Sequence, residues 1–283
     1  MTNTKRIVRS LLPPVVFDVT RPFRQTLAMR AYRRDKHHQY GYTLYRQRFI
    51  KRSLANQALL ESLRSNAPLP PGYGIDVDER CVEFPWVMAH LGAAPDTVLD
   101  AGSTLNHAYI ITAPNLANKT LHILTLAPEG ECFWQRGLSY MYADLRSIPM
   151  RDAFYDTVVC ASVLEHVGFD NTMYAEGETY REDRPNDFLQ VMRELRRVLK
   201  PGGRLLLSVP YGRYERHHWF QLFDRDLLTQ ALDAFGPSSM VSESFFRYTA
   251  EGWQQATDDA CRDVSYGGDT RGAGAVACVL VVT

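Results

Sequence analysis

The 283-residue sequence lacks paired cysteines and long apolar segments. Its five cysteines are scattered, with no Cys-x-x-Cys pair, so we expect neither a zinc site nor a disulfide framework, and a reducing compartment fits this content. No apolar run approaches the roughly 18 residues of a membrane span. The first apolar stretch, IVRSLLPPVVF, is interrupted by two prolines and does not resemble a signal-peptide core. We therefore expect a soluble, cytoplasmic protein.

The sequence also lacks a net charge, but its charges are unevenly distributed. Residues 1–64 contain 14 lysines and arginines against three acids, so the remainder is acidic by the same amount. This pattern indicates phosphate groups of a ligand or an anionic lipid surface as partner, the latter at the inner face of a membrane. The alternative is that the basic segment packs on the acidic remainder. No base-reading motif is present, so nucleic acid is not an expected partner.

Two segments differ in their periodicity. Residues 1 to about 66 space apolar side chains at helical intervals with Arg and Lys between them, and the Pro/Gly-rich stretch APLPPGYG follows at 67–74. We predict a basic helical N-terminal extension with its linker over 1–74 and a second domain over 75–283. The sequence does not predict an oligomeric state.

The second domain alternates short apolar runs with helical segments, which predicts an α/β fold with a mostly parallel, seven-stranded, Rossmann-like sheet and helices on both faces. The predicted strands are 97–101, 121–126, 138–144, 156–162, 203–210, 240–248 and 275–282. Ligands of such sheets bind beyond the carboxyl ends of the strands. The loops after 101, 126, 144, 162 and 210 should therefore form the site.

The clearest helix is NDFLQVMRELRRVL. Asn186 is its predicted N-cap, and the apolar stripe comprises Phe188, Met192, Leu195 and Leu199. KPGG then ends the helix, because proline cannot continue it and the glycines permit a turn.

Three motifs in order resemble those of class I S-adenosylmethionine-dependent methyltransferases. They are VLDAGS, YADLRSIPMRDAFYDTVVCASVLEHV and ELRRVLKPGGRLLLSVPYG, and the resemblance covers about 97–212. More narrowly, SVLEHVGFDNTMY together with VPYG resembles methyltransferase-like proteins associated with bacterial surface-polysaccharide synthesis. The broader resemblance implies S-adenosylmethionine as cofactor.

The resemblance also implies a cofactor site. Asp100 would accept hydrogen bonds from the next loop or from the ammonium group of the cofactor. Gly102 would let the backbone approach the methionine portion near the positive N-terminus of the next helix. Asp144 would accept from the adenine amino group, beside the backbone N–H of Leu145; its alternative role is a helix cap or a surface acid. The full set of cofactor-binding candidates is Asp100, Gly102, Ser103, Thr104, Thr125, Leu126, Asp144, Leu145, Ser162 and Glu165.

The sequence departs from the family pattern at three positions in and near this set. Thr104 and Asn106 replace glycines, and the β-branched Thr104 narrows the loop. Thr125 stands where the family carries an acid that binds both ribose hydroxyls. Its loss should cost about 1–3 kcal/mol of affinity unless Glu129 or Glu131 compensates.

Three histidines are candidate general bases for a hydroxyl acceptor: His166, beyond the fourth strand, and His217 and His218, beyond the fifth. His166 could instead brace its loop. Tyr211 and Trp219 offer flat aromatic surface for a sugar, with an ordinary polar loop as the alternative. The acidic segment 168–187 is a predicted lid or substrate loop, in which Asp170 and Asn171 would contact the acceptor. No regular ligand spacing indicates a metal.

Two functions follow as hypotheses. The first is an S-adenosylmethionine-dependent methyltransferase that methylates a hydroxyl of a sugar, glycan or related small molecule. The second is a methyltransferase fold without transfer activity that serves as a binding or assembly protein, which Thr104, Asn106 and Thr125 favour.

Overall fold

The computed structural model describes residues 14–175, 177–268 and 270–283, with the backbone alone for 14–21 and Glu178. The chain divides into two compact units, residues 1–49 and 50–283. The predicted boundary after residue 74 stays a prediction. No described helix combines the length and the apolar character that a membrane crossing requires.

Helices fill the described residues before the linker. They are α1 (Pro14–Arg34), α2 (Gln39–Leu54) and α3 (Gln57–Arg64). The helical prediction is confirmed for this part, whereas residues 1–13 of the predicted segment lie outside the described residues. In the first unit α1 and α2 pack closely, since a Cβ on Gly41 would lie 2.2 Å from the carbonyl oxygen of Ala28. The Tyr32 ring contacts the rings of Tyr42 and Tyr45.

An eight-stranded sheet forms the centre of the second unit. Its order is β3-β2-β1-β4-β5-β10-β8-β9, with the first five strands parallel and the last three pairings antiparallel. The mostly parallel Rossmann-like sheet is therefore confirmed, with β9 as an eighth strand that the sequence did not indicate. The strands are β1 (Asp96–Ala101), β2 (Lys119–Thr125), β3 (Ser139–Tyr142), β4 (Tyr155–Ala161), β5 (Leu199–Pro210), β8 (Met240–Thr249), β9 (Gly252–Ala256) and β10 (Ala275–Val282); a separate hairpin joins β6 (Glu215–Arg216) to β7 (Gln221–Leu222).

Helices cover both faces of this sheet. Helix α4 (Arg80–Leu91) contacts β4, β5 and β10, and α5 (Phe188–Val198) packs with α6 (Arg225–Phe235) over the face that carries Val158 and Cys160. Side chains alternate between the faces along each strand, so both layers are buried. The short helix α7 (Asp258–Cys261) follows β9.

The predicted cap and stripe of α5 need correction. The helix begins at Phe188 behind Asp187, whose side chain makes no capping bond, so Asn186 is not the N-cap. Phe188, Met192 and Leu195 are buried as predicted, whereas Leu199 belongs to β5.

Between the first four strands of the described chain, the predicted crossover helices are absent. Their places are taken by turns and by short 3₁₀ helices at Pro114–Leu116, Trp134–Arg136 and Leu145–Ser147. The prediction that Gly102 lies at the positive N-terminus of an α-helix is therefore wrong, because residues 102–118 contain only turns and one 3₁₀ helix.

Candidate functional site

The topology marks the carboxyl ends of β1 and β4 as the candidate ligand site. These strands are neighbours, but the chain continues from β1 towards β2 on one side and from β4 towards β5 on the other. This is the switch point at which open α/β sheets bind ligands. The backbone is strained on both sides, since Ser103 has φ 63° and Ser162 has φ 48°. A non-glycine residue pays about 1 kcal/mol or more for this left-handed region.

Asp100 organises the loop after β1. Its fully buried carboxylate accepts the backbone N–H groups of Thr104, at 3.1 Å, and Leu105, at 2.8 Å. Burial raises the pKa of Asp100 to about 7, against the lowering effect of these two bonds. Of its two predicted roles, the hydrogen bonds to the loop are the one that the geometry provides.

Gly102 is required by the neighbouring loop. Its φ is 105°, and a Cβ there would lie 2.4 Å from a methyl carbon of Val163, in the loop after β4. Its N–H donates to the Leu124 carbonyl at 2.8 Å. Glycine thus lets the loops after β1 and β4 approach each other.

Thr104 bridges the ends of the two strands. Its hydroxyl donates to the Ala161 carbonyl at 2.9 Å, and the guanidinium of Arg80 donates to the same oxygen at 3.2 Å. Thr104 therefore ties the end of β1 to the end of β4, and Arg80 lies beside this contact.

Arg80 and Glu83, both on α4, are residues of the site that the motif analysis missed. The fully buried Glu83 carboxylate accepts from Ser162 at 2.5 Å, from Ser208 at 2.7 Å and from Arg80 at 2.9 Å. Ser162 therefore points its hydroxyl at α4. The only sequence signal was a charged pair at i and i+3 in an otherwise apolar helix, RCVEFPWVMAHL.

Ser103 and Glu165 carry polar atoms without a partner. Among the described residues, three buried side-chain atoms make no hydrogen bond: Ser103 Oγ, Glu165 Oε2 and Trp86 Nε1. The first two flank the switch point, one after β1 and the other after β4. Buried polar groups are normally satisfied, so these atoms fit a polar ligand.

The environment of Glu165 favours the protonated form of its carboxyl group. Burial raises its pKa to about 8, with Glu83 and Glu79 adding to the rise while a backbone hydrogen bond and Arg80 oppose it. Its Oε1 lies 3.7 Å from Nε2 of His166, too far for a hydrogen bond.

His166 is held in one orientation. Its Nδ1 lies 3.0 Å from the Trp219 carbonyl oxygen, and its ring stacks on the Trp219 ring with centroids 5.0 Å apart. A neutral ring donates from Nδ1 here, which leaves the lone pair on Nε2. Burial lowers the pKa of His166 to about 4. The contacts fit both of its predicted roles, bracing and proton acceptance.

Replacing Glu165 with glutamine is expected to flatten the pH dependence of stability. Since the folded-state pKa is raised to about 8, the folded protein binds this proton more tightly than the unfolded chain does. The contribution is full below the unfolded pKa of about 4.5 and is lost as the pH rises towards about 8. Chemical denaturation from pH 5 to pH 8 measures it. A Glu165→Gln slope equal to that of the wild type contradicts the assignment.

The loop after β2 carries an acid at the carboxyl end of the sheet. Thr125 ends β2 and Leu126 follows in the turn. Asn106 donates to the Glu129 carboxylate at 3.0 Å and to the Glu131 carbonyl at 3.1 Å, and accepts from Tyr140 at 2.9 Å. Asn106 thus holds the carboxylate of Glu129 at this end of the sheet, whereas Glu131 contributes its backbone only.

Asp144 is engaged by its own loop. Its side chain caps the 3₁₀ helix Leu145–Ser147 by accepting the Arg146 N–H at 2.8 Å, and the Arg146 guanidinium also binds both of its oxygens. The same guanidinium reaches Glu182 at 2.9 Å and Asp187 at 2.6 Å. The predicted alternative of a helix cap therefore describes this carboxylate, and Arg146 joins it to the segment 168–187.

A cavity of about 460 Å³ lies beside that segment. Asp170 sits near it, with hydrogen bonds from Thr172 as the main cause that lowers its pKa to about 2. Its carboxylate lies 2.9 Å from Nε2 of the exposed His218. His217 stacks on Phe220 and lies 3.1 Å from Glu215. The cavity is lined by Phe169, Arg181, Glu182, Asp183, Arg216, His217 and His218.

The other predicted acceptor residues do not line this cavity. Tyr211 is fully buried and its hydroxyl donates to Asp258, so the prediction that its ring offers an accessible surface for a sugar is wrong. Asn171 donates to the carbonyls of His166 and Phe169 within its own loop. Trp219 is half-buried against His166. Within the described residues no group of three or more metal-ligating side chains is arranged to hold a metal ion.

Comparison with known proteins identifies the class of the central segment. Residues 99–207, less than half of the chain, match the family model described as a methyltransferase domain. The prediction of this domain class from the motifs is confirmed for that segment, and the match supports S-adenosylmethionine as its cofactor. No curated protein sequence matches the chain significantly.

Solved structures similar to the chain include two that contain S-adenosylhomocysteine. The Burkholderia thailandensis 1,6-didemethyltoxoflavin-N1-methyltransferase has 15% identity and a TM-score of 0.46, covering 71% of this chain and 76% of its own. The N-methyltransferase NodS from Bradyrhizobium japonicum WM9 has 13% identity and a TM-score of 0.41, covering 83% of this chain and 96% of its own. Likenesses at this level carry no argument about substrate.

Proposed function

We propose that the protein is an S-adenosylmethionine-dependent methyltransferase that methylates a hydroxyl of a sugar, glycan or related small molecule. The observation that carries this proposal is the pair of unpartnered buried atoms, Ser103 Oγ and Glu165 Oε2, at the switch point of a segment that matches a methyltransferase domain. S-adenosylmethionine, when bound, supplies a methyl group already activated on a sulfonium.

The residues at the switch point fit the cofactor. Ser103 and Glu165 would bind polar groups of its methionine half, and the guanidinium of Arg80, beside the loop at Ala161, would attract its carboxylate. Glu129, held by Asn106, would accept the ribose hydroxyls in place of the acid missing at Thr125.

An acceptor hydroxyl needs alignment and a group that takes its proton. We assign Nε2 of His166 as the atom that accepts the proton of the hydroxyl. Its Nδ1 is engaged by the Trp219 carbonyl, and the ring follows β4 at the switch point. The cavity beside His217 and His218 suits a polyol, since it combines fixed donors and acceptors with the Phe169 ring.

Isothermal titration with S-adenosylhomocysteine tests the proposal. We expect saturable heat with the full chain, and methyl transfer from S-adenosylmethionine to a member of a panel of sugars and nucleotide sugars. Absence of heat at millimolar ligand, with and without the panel, overturns it.

The Glu129 carboxylate gives a second measurement. Glu129→Gln is expected to weaken S-adenosylhomocysteine binding about tenfold, because one charged acceptor of the ribose hydroxyls becomes neutral. Glu131→Gln is the matched control, since only the backbone of that residue contacts Asn106. Equal affinities of the two variants exclude Glu129 from the ribose site.

The second candidate is a methyltransferase fold that binds without transferring. Two contacts favour it. The hydroxyl of Thr104 ties the ends of β1 and β4 together through the Ala161 carbonyl. The guanidinium of Arg146 already binds the Asp144 carboxylate that was predicted to contact adenine. It predicts no saturable heat with S-adenosylhomocysteine and no methyl transfer to any member of the panel.

Two narrower assignments belong to this proposal. The cytoplasmic location rests on the five scattered cysteines, none of which forms a disulfide and four of which are buried. The role in bacterial surface-polysaccharide synthesis rests on SVLEHVGFDNTMY and VPYG alone.

A further inference from the structure

Helix α1 presents an unusual outward face. Phe23, Leu27, Arg30 and Arg34 follow one another at intervals of four, three and four residues, so they form one stripe along the helix. All four side chains are exposed, and Phe23 and Leu27 keep 66% and 46% of their surface accessible. Large apolar side chains and arginines therefore share one solvent-facing stripe.

The opposite face of α1 already has a partner within the first unit. Ala28 and Tyr32 are buried, and they meet α2 at Gly41 and Tyr42. The stripe is therefore not the core-facing side of the helix. Large apolar residues that are exposed on the face away from the core of their own unit point to an external surface.

The charge of this unit selects the partner. Residues 22–49 contain seven lysines and arginines and one acid, Asp35. We propose that the stripe on α1 binds the surface of an anionic lipid bilayer, with Phe23 and Leu27 at the acyl boundary and the arginines at the headgroups. Arginines beside apolar anchors suit such a surface, because their aliphatic stems can lie along apolar groups while the guanidinium reaches the headgroups.

The mixed stripe favours lipid over nucleic acid. Arginine and an aromatic ring suit both partners. The branched aliphatic side chain of Leu27 cannot stack on a nucleic-acid base as an aromatic ring does, but it is stabilised in an acyl environment. This inference is independent of the methyl-transfer proposal, since it uses neither the switch point nor its ligands.

Co-sedimentation of the full chain with vesicles tests the inference. We expect binding to phosphatidylcholine vesicles that contain about one third phosphatidylglycerol, and much weaker binding to phosphatidylcholine alone. Binding should fall steeply between about 0.1 M and 1 M salt, where the screening length decreases from about 10 Å to 3 Å.

Two double variants separate the contributions. Arg30→Gln with Arg34→Gln should weaken binding roughly thirtyfold, about fivefold per charge, and Phe23→Ser with Leu27→Ser should weaken it about tenfold or more. Arg136→Gln with Arg193→Gln removes two exposed charges of the second unit and should leave binding unchanged. Circular dichroism checks that each variant is folded.

Three results would overturn the inference: equal binding to neutral and anionic vesicles, wild-type binding by both stripe variants, or salt-sensitive binding to RNA without binding to vesicles. Loss of vesicle binding in the two stripe variants alone supports it, whether or not S-adenosylhomocysteine binds.

Discussion

Replacing Gly102 with alanine is expected to abolish detectable S-adenosylhomocysteine binding and to lower the free energy of unfolding by roughly 2–5 kcal/mol. Two costs add at this position. The backbone has φ 105°, which an L side chain rarely adopts, and the new methyl group would meet Val163 at 2.4 Å. Because both loops are fixed by neighbouring strands, the clash would move the switch point itself.

Gly92→Ala is the matched control. Gly92 also has positive φ, 67°, but a Cβ there would have no neighbour within 4 Å. It should lose only the backbone contribution, about 1–3 kcal/mol, since φ 67° with ψ −176° is a conformation that essentially only glycine adopts. It should keep its affinity for S-adenosylhomocysteine. Urea denaturation and isothermal titration of both variants measure the difference. If the two variants lose the same stability and both bind, the contact with Val163 does not hold the site open.

The central strands could be predicted because they are buried on both faces. β4 and residues 203–210 of β5 read as largely apolar runs that end in turns, which is the pattern of a parallel sheet. β5 begins earlier, at Leu199, so KPGG, which was predicted as a turn, lies within the strand. β9 escaped prediction because its sequence, GWQQA, is short and polar, and only its hairpin pairing with β8 makes it a strand. Pairing with a neighbour, which no local pattern records, decided that element.

The absent crossover helices have a similar cause. After β1, the predicted helix would begin in the loop that Asp100 holds by two backbone N–H groups. Asn106 is then tied to the next loop through Glu129 and Tyr140. The bonds of Asn106 join segments over 20 residues apart. They therefore compete with helix formation, although helix propensity, a local property, does not record them.

Motif order located the switch point but not its electrostatics. Asp100, Gly102 and Glu165 were found because they belong to motifs that resemble those of the methyltransferase family, at the ends of predicted strands. Glu83 was missed because its partners Ser162 and Ser208 lie 79 and 125 residues away, and a carboxylate in an apolar helix carries no spacing signal. The burial that raises the pKa of Glu165 likewise arises only when β1, β4 and α4 come together.

Arg146 links the two halves of the candidate site. It binds Asp144, the predicted adenine contact, and Glu182, which lines the acceptor cavity. A ligand that displaces one of these carboxylates must change the other contact of the same guanidinium. Cofactor and acceptor affinities are therefore expected to depend on each other, and such coupling is reciprocal.

Replacing His166 with glutamine is expected to lower kcat about 10²-fold, near the lower end for a general base. The reason is its pKa of about 4: the ring is neutral and available throughout the neutral range, but it is a weak base. S-adenosylhomocysteine affinity should change little. His217→Gln and His218→Gln serve as comparisons. Both histidines line the acceptor cavity, and their Nε2 atoms are engaged by Glu215 and Asp170, respectively.

The comparison variants should raise KM for the acceptor more than they lower kcat, because they alter binding and leave the proton acceptor in place. Single-turnover transfer to an acceptor that the wild type methylates measures the chemical step. A bracing role for His166 predicts a different pattern, in which cofactor affinity and the Trp219 fluorescence change together, since the ring stacks on that indole. Unchanged kcat in His166→Gln, with a loss in either comparison variant, would move the proton acceptor to the cavity beyond β5.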